Sequence, residues 1–311
     1  MTHVSPAPTC YRHPGRETYV RCTRCERPIC PDCMTEASVG FQCPSCVAEG
    51  RASQPAARTW FGGTQAGQFG YVTISLIALN VLVFVASLVI SKGGALGGGS
   101  IFGGSTILHE LFGVSGPDYP LHSIPCPDQP GYICSSTNTS APGIDSGAYY
   151  RLVTAMFLHF GPIHLLMNMW ALWVLGRNLE TAFGPVRFAA LYLLAGLGGN
   201  VAVYLFSPNG LSAGASTAIF GLFAALVVVL RKLGRSLAPI LPVLVINAIF
   251  TFTVANISIA GHVGGFIAGG LIAGALAYAP AKNRNVIQAA ALTAYTVIMV
   301  LIVVVTASGR S

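Results

Sequence analysis

Hydrophobic residues in this 311-residue chain fall in long runs that are separated by short polar or basic segments. A helix of about 20 apolar residues can cross the hydrocarbon core of a bilayer, which is roughly 30 Å thick. The pattern predicts seven spans, at residues 71–90, 162–179, 186–206, 214–230, 237–255, 261–279 and 286–306. The sequence therefore predicts an all-α polytopic membrane protein.

The segments outside the spans divide the chain further. Residues 1–50 are polar and rich in cysteine, residues 51–69 are a small, polar linker, and residues 91–160 form a long, glycine-rich loop after the first span. Residues 70–280 hold the first six spans and residues 281–311 hold the seventh. We expect a small N-terminal module followed by a helical membrane domain.

Basic residues indicate how the chain is oriented in the membrane. Only 9% of the residues are charged, and most of the cations flank the apolar spans, so we expect no nucleic-acid partner despite the net charge of +7. With the N-terminus inside, Lys92, Arg151 and Arg310 lie outside and the other fourteen of the 17 Lys and Arg residues lie inside. Cytoplasmic segments carry an excess of these residues. The sequence predicts a multi-pass cell-membrane protein with a cytoplasmic N-terminus and an external C-terminus.

The nine cysteines fall into two groups. Seven precede residue 47, whereas Cys126 and Cys134 lie in the long external loop. Cytosolic thiols stay reduced and suit metal ions, while external thiols can hold a stable disulfide. We therefore expect a disulfide between Cys126 and Cys134. The charge pattern, which uses none of the cysteines, gives the same assignment of inside and outside.

Regularly spaced pairs of metal-ligating residues define the N-terminal module. The pairs are Cys10 with His13, Cys22 with Cys25, Cys30 with Cys33, and Cys43 with Cys46. Eight ligands are enough for two structural zinc ions, each tetrahedral and without an open position. The arrangement resembles a B-box-like zinc finger, which implies interleaved sites: the first pair with the third, and the second with the fourth. Sequential pairing stays open, as does a cytosolic protein partner for the module.

Two polar residues lie near the starts of apolar spans. Ser216 is in the segment Gly-Ala-Ser-Thr-Ala-Ile-Phe-Gly, and His262 opens another span 46 residues later. Hydrocarbon penalises polar side chains, so those found there usually have a function or a partner. A base such as histidine can activate a serine hydroxyl as a nucleophile. The pair suggests a serine hydrolase inside the bilayer, although a small serine can also serve helix packing alone.

Glycines along the helix of His262 would let it approach a neighbouring helix closely. They are Gly264, Gly265, Gly269 and Gly270, and we expect them to form one bare side of the helix. A close approach of this kind would bring the imidazole of His262 within reach of Ser216.

A further span carries two polar residues one turn apart. His164 and Asn168 share a helix face, and their N–H groups could stabilise a developing oxyanion. An interhelical hydrogen-bonded pair is the alternative. No aspartate or glutamate lies near Ser216 or His262 in the sequence, which favours a Ser-His dyad over a triad.

Other kinds of membrane protein are less well supported. The sequence contains no His-Glu-x-x-His motif and no pair of intramembrane aspartates, which disfavours zinc and aspartyl proteases. A protein that captures transmembrane clients without cleaving them stays an alternative, and so does a transporter. The transporter hypothesis is weakened because the sequence shows no inverted repeat with paired broken helices.

Three motifs have a specific order and spacing. They are His164-Leu165-Leu166-Met167-Asn168, Gly214-Ala215-Ser216 and His262-Val263-Gly264-Gly265, with further matches at 176–180, 183–184, Tyr192, Gly196 and Gly199. Together they resemble the rhomboid family of intramembrane serine proteases. The resemblance implies a six-helix core over residues 70–280, with residues 281–311 as an extra C-terminal helix.

The same resemblance implies roles for individual residues. Ser216 would be the nucleophile, His262 the base and acid, and His164 and Asn168 the oxyanion donors. The substrates would be transmembrane proteins within membrane lipid, and catalysis would need no cofactor. The sequence departs from the family pattern at Thr217, where glycine is common, at Gly261, where alanine is common, and at Tyr150-Arg151, where Trp-Arg is common.

Overall fold

Two compact units make up the protein in the computed structural model, Met1–Ala57 and Arg58–Ser311. The structure describes residues 7–54, 57–91, 104–122, 124–125, 133–134, 139–254 and 257–310. The first unit is small and rich in cysteine, and the second is helical.

Short antiparallel hairpins and one helix build the N-terminal unit. Strand β1 (Thr9–Cys10) pairs with β2 (His13–Glu17), β3 (Thr35–Glu36) pairs with β4 (Phe41–Gln42), and helix α1 (Pro44–Ser53) follows. Its buried core consists of cysteine side chains and Ile29. So small an apolar core does not stabilise a unit of this size without cross-links or metal ions.

Nine helices are described in the second unit. They are α2 (Tyr71–Ile90), α3 (Ile107–Phe112), α4 (Arg151–Thr154), α5 (Pro162–Phe183), α6 (Pro185–Phe206), α7 (Ser216–Lys232), α8 (Leu241–Thr253), α9 (Ile259–Tyr278) and α10 (Arg284–Ser308). The α5 helix begins at Pro162, as predicted from a proline at the first helical position.

Four helical segments in the described part of the chain are long and apolar enough to cross a bilayer. They are Tyr71–Ile90, Pro185–Phe206, Ile259–Tyr278 and Ala281–Ser308. A fifth exists if Arg151–Phe157 and Pro162–Phe183, which meet at 93°, count as one bent span. The chain is therefore a mostly helical membrane protein, and the number of seven spans stays a prediction.

Two of the predicted spans form shorter helices. The α7 helix has 17 residues and α8 has 13, and at about 1.5 Å per residue α8 covers only about 20 Å. We expected the span to begin at residue 237, but α8 begins at Leu241 with Pro242 in its first turn. Proline is tolerated in the first turn of a helix but not in its interior, so Pro242 favours a start next to it.

Glycines bring α7 and α9 into close contact. A Cβ atom on Gly265 would overlap the backbone of Thr217, and one on Gly269 would overlap the backbone of Gly221. In contrast, Gly264 faces Ala202 of α6. The glycines of α9 therefore serve two neighbouring helices, and the expectation of a single bare side was wrong.

Glu180 ties the C-terminal part of α5 to the start of α2. Its carboxylate is buried and accepts hydrogen bonds from the amides of Val72 and Thr73, at 3.0 and 2.8 Å, and from the Thr73 hydroxyl at 2.7 Å. A carboxylate at a helix N-terminus satisfies free N–H groups and complements the helix dipole. The contact fixes the first predicted span against the second.

The loop after α2 is anchored by one arginine. The buried guanidinium of Arg151 donates hydrogen bonds to the backbone carbonyls of Pro142, Gly113 and Glu110, at 2.7 to 2.8 Å. Strands β5 (Tyr119–Pro120) and β8 (Ser140–Ala141) pair within this loop, as do β6 (Ile124–Pro125) and β7 (Ile133–Cys134). Arg151 therefore holds the loop to α4.

Polar contacts also stabilise the parts of the loop next to β5 and β8. Hydrogen bonds from the Ser146 side chain and the Gly143 amide lower the pKa of Asp118, so its carboxyl is charged at neutral pH. The predicted disulfide between Cys126 and Cys134 involves side chains that lie outside the described residues.

Candidate active site and metal clusters

Ser216 is the first residue of α7 and is half-buried. Gly214, two residues earlier, has a φ of 142°, a conformation that glycine adopts readily and other residues do not. Its amide donates a 2.9 Å hydrogen bond to the carbonyl of Ala155, which fixes the approach to the helix. The first N–H groups of a helix have no partner within it, so the start of α7 presents a hydroxyl and free backbone donors together.

His262 lies in the first turn of α9 and is buried. The side chain of Ser258 caps this helix by accepting a hydrogen bond from the Gly261 amide at 3.1 Å. The His262 ring stacks on Phe220, with ring centroids 3.9 Å apart and planes inclined by 15°. Because Phe220 lies one turn after Ser216 on α7, the stack holds the imidazole beside the helix face that carries the serine.

A threonine of α8 contacts the other edge of the imidazole. Oγ1 of Thr251 lies 2.8 Å from Nδ1 of His262 and 2.8 Å from the carbonyl oxygen of Asn247. Thr251 is buried. The hydroxyl can therefore accept a hydrogen bond from the imidazole while it donates one to the backbone.

The Ser216 hydroxyl and the His262 ring do not form a hydrogen bond in the described part of the chain. Catalytic hydrogen bonds are often long before substrate binds and shorten in the complex. The His262 ring stacks on Phe220 of α7, and the glycine contacts bring α7 and α9 together.

His164 and Asn168 lie on α5, as the sequence predicted. A Cβ atom placed on Gly214 would lie 3.0 Å from Nε2 of His164 and 3.5 Å from Oγ of Ser216, so both side chains border the same small volume. The Nδ2 atom of Asn168 is buried and has no hydrogen-bond partner among the residues that the structure describes. Buried polar atoms without partners are uncommon, and at a functional site they are candidates for a ligand contact.

A group of aromatic rings supports His164 from the side of the loop. His159 is fully buried and meets His164 at 61°, with centroids 5.0 Å apart. Phe160 lies nearly parallel to His164 and stacks on His109, with centroids 6.3 and 4.5 Å apart. These contacts fix the orientation of the His164 ring.

An apolar cavity of about 340 Å³ opens beside the imidazole, between α7, α8 and α9. Phe220, Leu244, Thr251, His262 and Phe266 are among its lining residues. Such a cavity can accept an apolar side chain next to His262.

Comparison with known proteins places these motifs in one family. Residues 146–280 match the Rhomboid domain. Rhomboid protease GluP of Bacillus subtilis (strain 168) is 40% identical over 164 residues, which make up 50% of this chain and 32% of GluP. Putative rhomboid protease YdcA of the same organism is 32% identical over 136 residues, which make up 42% of this chain and 68% of YdcA. The chain belongs to the rhomboid family.

Other rhomboid relatives match over shorter lengths. RHOMBOID-like protein 6, mitochondrial, of Arabidopsis thaliana is 46% identical over 77 residues, which are 25% of each protein. The chain thus spans about a third of GluP and a quarter of the Arabidopsis protein.

Outside the matched domain, this rhomboid protein carries two clusters of metal-ligating side chains. In each cluster one donor atom from each of four residues lies within 4.8 Å of the other three, and the clusters are Cys10, His13, Cys30 and Cys33, and Cys22, Cys25, Cys43 and Cys46. The grouping follows the interleaved pattern and not the sequential one.

Distances within the clusters fit a tetrahedral metal ion. Sγ atoms of Cys25 and Cys43 lie 3.7 Å apart, and Nδ1 of His13 lies 3.2 Å from Sγ of Cys30 and 3.5 Å from Sγ of Cys33. Zinc with bonds of about 2.3 Å to sulfur and 2.0 Å to nitrogen separates its ligand atoms by roughly 3.5 to 3.8 Å. The donor set and its spacing therefore fit two zinc ions.

Backbone amides and one arginine surround the second cluster. The amide of Cys43 donates to Sγ of Cys22 at 3.2 Å, and Nε of Arg27 donates to Sγ of Cys25 at 3.3 Å. Hydrogen bonds of this kind stabilise thiolates and orient them toward a metal.

Sequence reasoning missed three residues of this rhomboid site. Thr251 and Phe220 contact the imidazole directly, and Arg151 holds the adjacent loop. A threonine or phenylalanine in an apolar helix carries no functional signal by itself, because both are common packing residues there. The sequence argument used Arg151 as an external charge and as part of the Tyr150-Arg151 departure from the family pattern, and it gave this residue no anchoring role.

Proposed function

We propose that this chain is an intramembrane serine endopeptidase that cleaves transmembrane-anchored proteins near the outer membrane face. The observation that carries the proposal is one arrangement of side chains. His164 and Ser216 border the same volume beside Gly214. The His262 ring stacks on Phe220, which lies one turn after Ser216 on α7. The names of GluP and YdcA as rhomboid proteases support the reaction class.

Ser216 and His262 act as nucleophile and base. We assign the Nδ1–H tautomer to His262, because Nδ1 then donates to Thr251 and Nε2 keeps the lone pair that base catalysis needs. His262 takes the proton of the Ser216 hydroxyl as Oγ attacks the scissile carbonyl carbon. The carbonyl electron pair moves to oxygen, and a tetrahedral oxyanion forms.

The amides at the start of α7 and the side chains of Asn168 and His164 stabilise that oxyanion. Asn168 suits this task because its buried Nδ2 atom has no hydrogen-bond partner in the described ranges of the chain. A donor that is fixed before the reaction needs no reorganisation when the charge develops.

Collapse of the intermediate breaks the C–N bond, and His262 gives its proton to the leaving amine. Water then attacks the acyl ester on Ser216, with His262 again taking and returning a proton. The half-buried position of Ser216 leaves a route for this water.

The substrates we propose are transmembrane segments that unwind easily at the level of Ser216. Residues with low helix propensity, such as glycine, lower the cost of exposing a peptide bond. The apolar cavity beside His262 gives a neighbouring side chain a place to bind within the membrane.

We infer a cytoplasmic N-terminus and an external C-terminus from the distribution of lysine and arginine. Arg187 and Arg284 lie at one end of the helices, where α6 and α10 begin, and Arg310 at the end of α10 contacts the carbonyl of Tyr204 near the end of α6. Arg187 and Arg284 thus lie at the opposite end of α6 and α10 from Arg310, which agrees with one strongly basic side of the membrane domain.

The N-terminal clusters would hold two zinc ions in a structural role. A bound zinc ion would cross-link segments that share almost no apolar core. We infer that the module lies in the cytosol, where its thiols stay reduced.

A cleavage assay with the full chain tests the protease proposal. The chain is reconstituted in vesicles with a single-span substrate, and the products are followed by electrophoresis. We expect cleavage by the natural chain and none by Ser216→Ala or His262→Ala. Ser212→Ala changes a serine on the same approach loop and serves as the matched control, with activity retained. Cleavage that persists in Ser216→Ala would rule out the proposed nucleophile.

A further inference from the structure

Three arginines converge at the end of the membrane unit where α6 and α10 begin. Arg187 is in the first turn of α6, and Arg284 is the first residue of α10. A Cβ atom placed on Gly62 would lie 3.4 Å from Nη1 of Arg284 and 3.7 Å from Nη2 of Arg187. Arg58 pairs with Thr64 across the turn that contains Gly62. The three cations therefore share one small region.

Neutral groups hold these arginines in place without cancelling their charge. Arg187 donates from Nε to the side-chain oxygen of Gln288 at 2.7 Å and from Nη2 to that of Asn285 at 2.8 Å. Gln288 is buried and is fixed by its own 2.7 Å hydrogen bond to the carbonyl of Leu276. Nε of Arg284 donates to the carbonyl of Ala279. The site is thus ordered by amides and carbonyls.

The unit supplies no carboxylate to this group within the described residues. Four of the acids after residue 57 belong to the loop after α2, and they are Glu110, Asp118, Asp128 and Asp145. The fifth, Glu180, points its carboxylate at the amides of Val72 and Thr73. No salt bridge joins any of the three arginines to a carboxylate in the part of the chain that the structure describes.

The position of two of these arginines at helix N-termini makes their uncompensated positive charge more unfavourable. The N-terminus of a helix carries partial positive charge, so cations in the first turn are repelled and anions are attracted. Arg187 and Arg284 both occupy such positions. Two helix N-termini and three guanidinium groups together favour a bound anion.

An exposed tryptophan indicates where that anion comes from. Trp60 is 69% exposed and lies between Arg58 and Gly62 in the same turn, while the adjacent Phe61 is buried against Phe183. Tryptophan prefers the level of the lipid headgroups, and arginine forms paired hydrogen bonds with phosphate oxygens. We propose that Arg58, Arg187 and Arg284 bind the phosphate group of a membrane lipid, with Trp60 packed in the headgroup layer.

Lipid titration of the purified full chain in neutral detergent tests this site. Short-chain phosphatidic acid is the probe, short-chain phosphatidylcholine and inorganic phosphate are the comparison ligands, and binding is measured by thermophoresis. The test variant is Arg187→Gln/Arg284→Gln. The matched control is Arg231→Gln/Arg235→Gln, which removes the same charge at the C-terminal end of α7.

We expect saturable binding of phosphatidic acid that weakens at least about tenfold in the test variant and less than about twofold in the control, since each lost charge-assisted hydrogen bond costs about a factor of ten. An equal loss of affinity for phosphatidic acid in both variants, or binding that does not saturate, would contradict the proposed site. Inorganic phosphate that binds as tightly as phosphatidic acid would overturn the lipid assignment.

A second variant distinguishes loss of lipid binding from loss of the fold. Arg58→Gln changes an exposed side chain that makes no side-chain hydrogen bond within the described residues, so it leaves the network of Gln288 intact. We expect a loss of affinity of about threefold or more with an unchanged melting temperature. An unchanged affinity would remove Arg58 from the site.

Discussion

Thr251 and His262 contact each other through a 2.8 Å approach of Oγ1 to Nδ1, and this approach joins α8 to the proposed base. Thr251 also contacts the carbonyl of Asn247, so the imidazole is linked to the backbone of α8 through one hydroxyl. An aspartate performs this orienting task in a catalytic triad. We infer that Thr251 is a positioning residue, and that a shift of α8 would change the orientation of the imidazole.

Replacing Thr251 tests that role. Thr251→Val keeps the shape but removes the hydroxyl, and we expect kcat to fall about five- to tenfold with little change in KM, because one hydrogen bond of about 1 kcal/mol is lost. Thr251→Ser keeps the hydroxyl and should retain kcat within about twofold. Steady-state cleavage kinetics in vesicles measure both. Equal losses in the valine and serine variants, or a change confined to KM, would show that the hydroxyl does not position the base.

Asn168 should contribute to activity without contributing to stability. Its Nδ2 atom is buried without a hydrogen-bond partner in the part of the chain that the structure describes, and such burial carries a desolvation cost. We expect Asn168→Ala to lower kcat by about 10²-fold, as loss of one oxyanion donor does, while the melting temperature stays the same or rises. Asn178→Ala on the same helix is the control, because that side chain is exposed and donates a hydrogen bond to the carbonyl of Val174 within its own helix. A large drop in melting temperature for Asn168→Ala, with kcat unchanged, would contradict the assignment.

Glu180 should dominate the stability of the contact between α2 and α5. Its carboxylate accepts three hydrogen bonds in a buried position. Glu180→Ala should destabilise the protein by about 3 kcal/mol, because hydrogen bonds to a charged group contribute about 1.5 to 3 kcal/mol. Thr73→Val removes one of the three and should cost less. Thermal unfolding in detergent measures both, and a smaller effect for Glu180→Ala than for Thr73→Val would contradict this account.

Metal counting distinguishes the two ligand pairings. We expect two zinc ions per natural chain by elemental analysis, and one in Cys10→Ser/Cys30→Ser, because both residues belong to one interleaved cluster. Cys10→Ser/Cys22→Ser should lose both ions, since it damages each cluster. Sequential pairing predicts the reverse outcome for the two double variants. A natural chain without bound metal would contradict the zinc proposal.

The helical membrane class was predictable from the sequence, while the catalytic roles of the site residues stay predictions. Apolar runs located α2 at the same residues as the structure, and the polar residues within such runs led to Ser216, His262, His164 and Asn168. Hydrocarbon penalises both backbone irregularity and polar groups, so each leaves a visible pattern in the sequence.

The remaining contacts depend on packing that one sequence does not show. Thr251 bonds to the carbonyl four residues earlier, as many helical threonines do, so its second contact with His262 was not predictable. Glu180 meets Thr73 across 107 residues of chain. The division of the α9 glycines between α6 and α7 also depends on how three helices meet, and their spacing alone suggested one face.

Mapping of a covalent probe tests the central claim most directly. The full chain in vesicles is treated with a fluorophosphonate, digested, and the modified residue is identified by mass spectrometry. We predict a single modified site at Ser216, with labelling lost in His262→Ala and retained in Ser212→Ala. Modification of another serine, or labelling of Ser216 that is equally strong without the imidazole of His262, would contradict the proposed nucleophile and base.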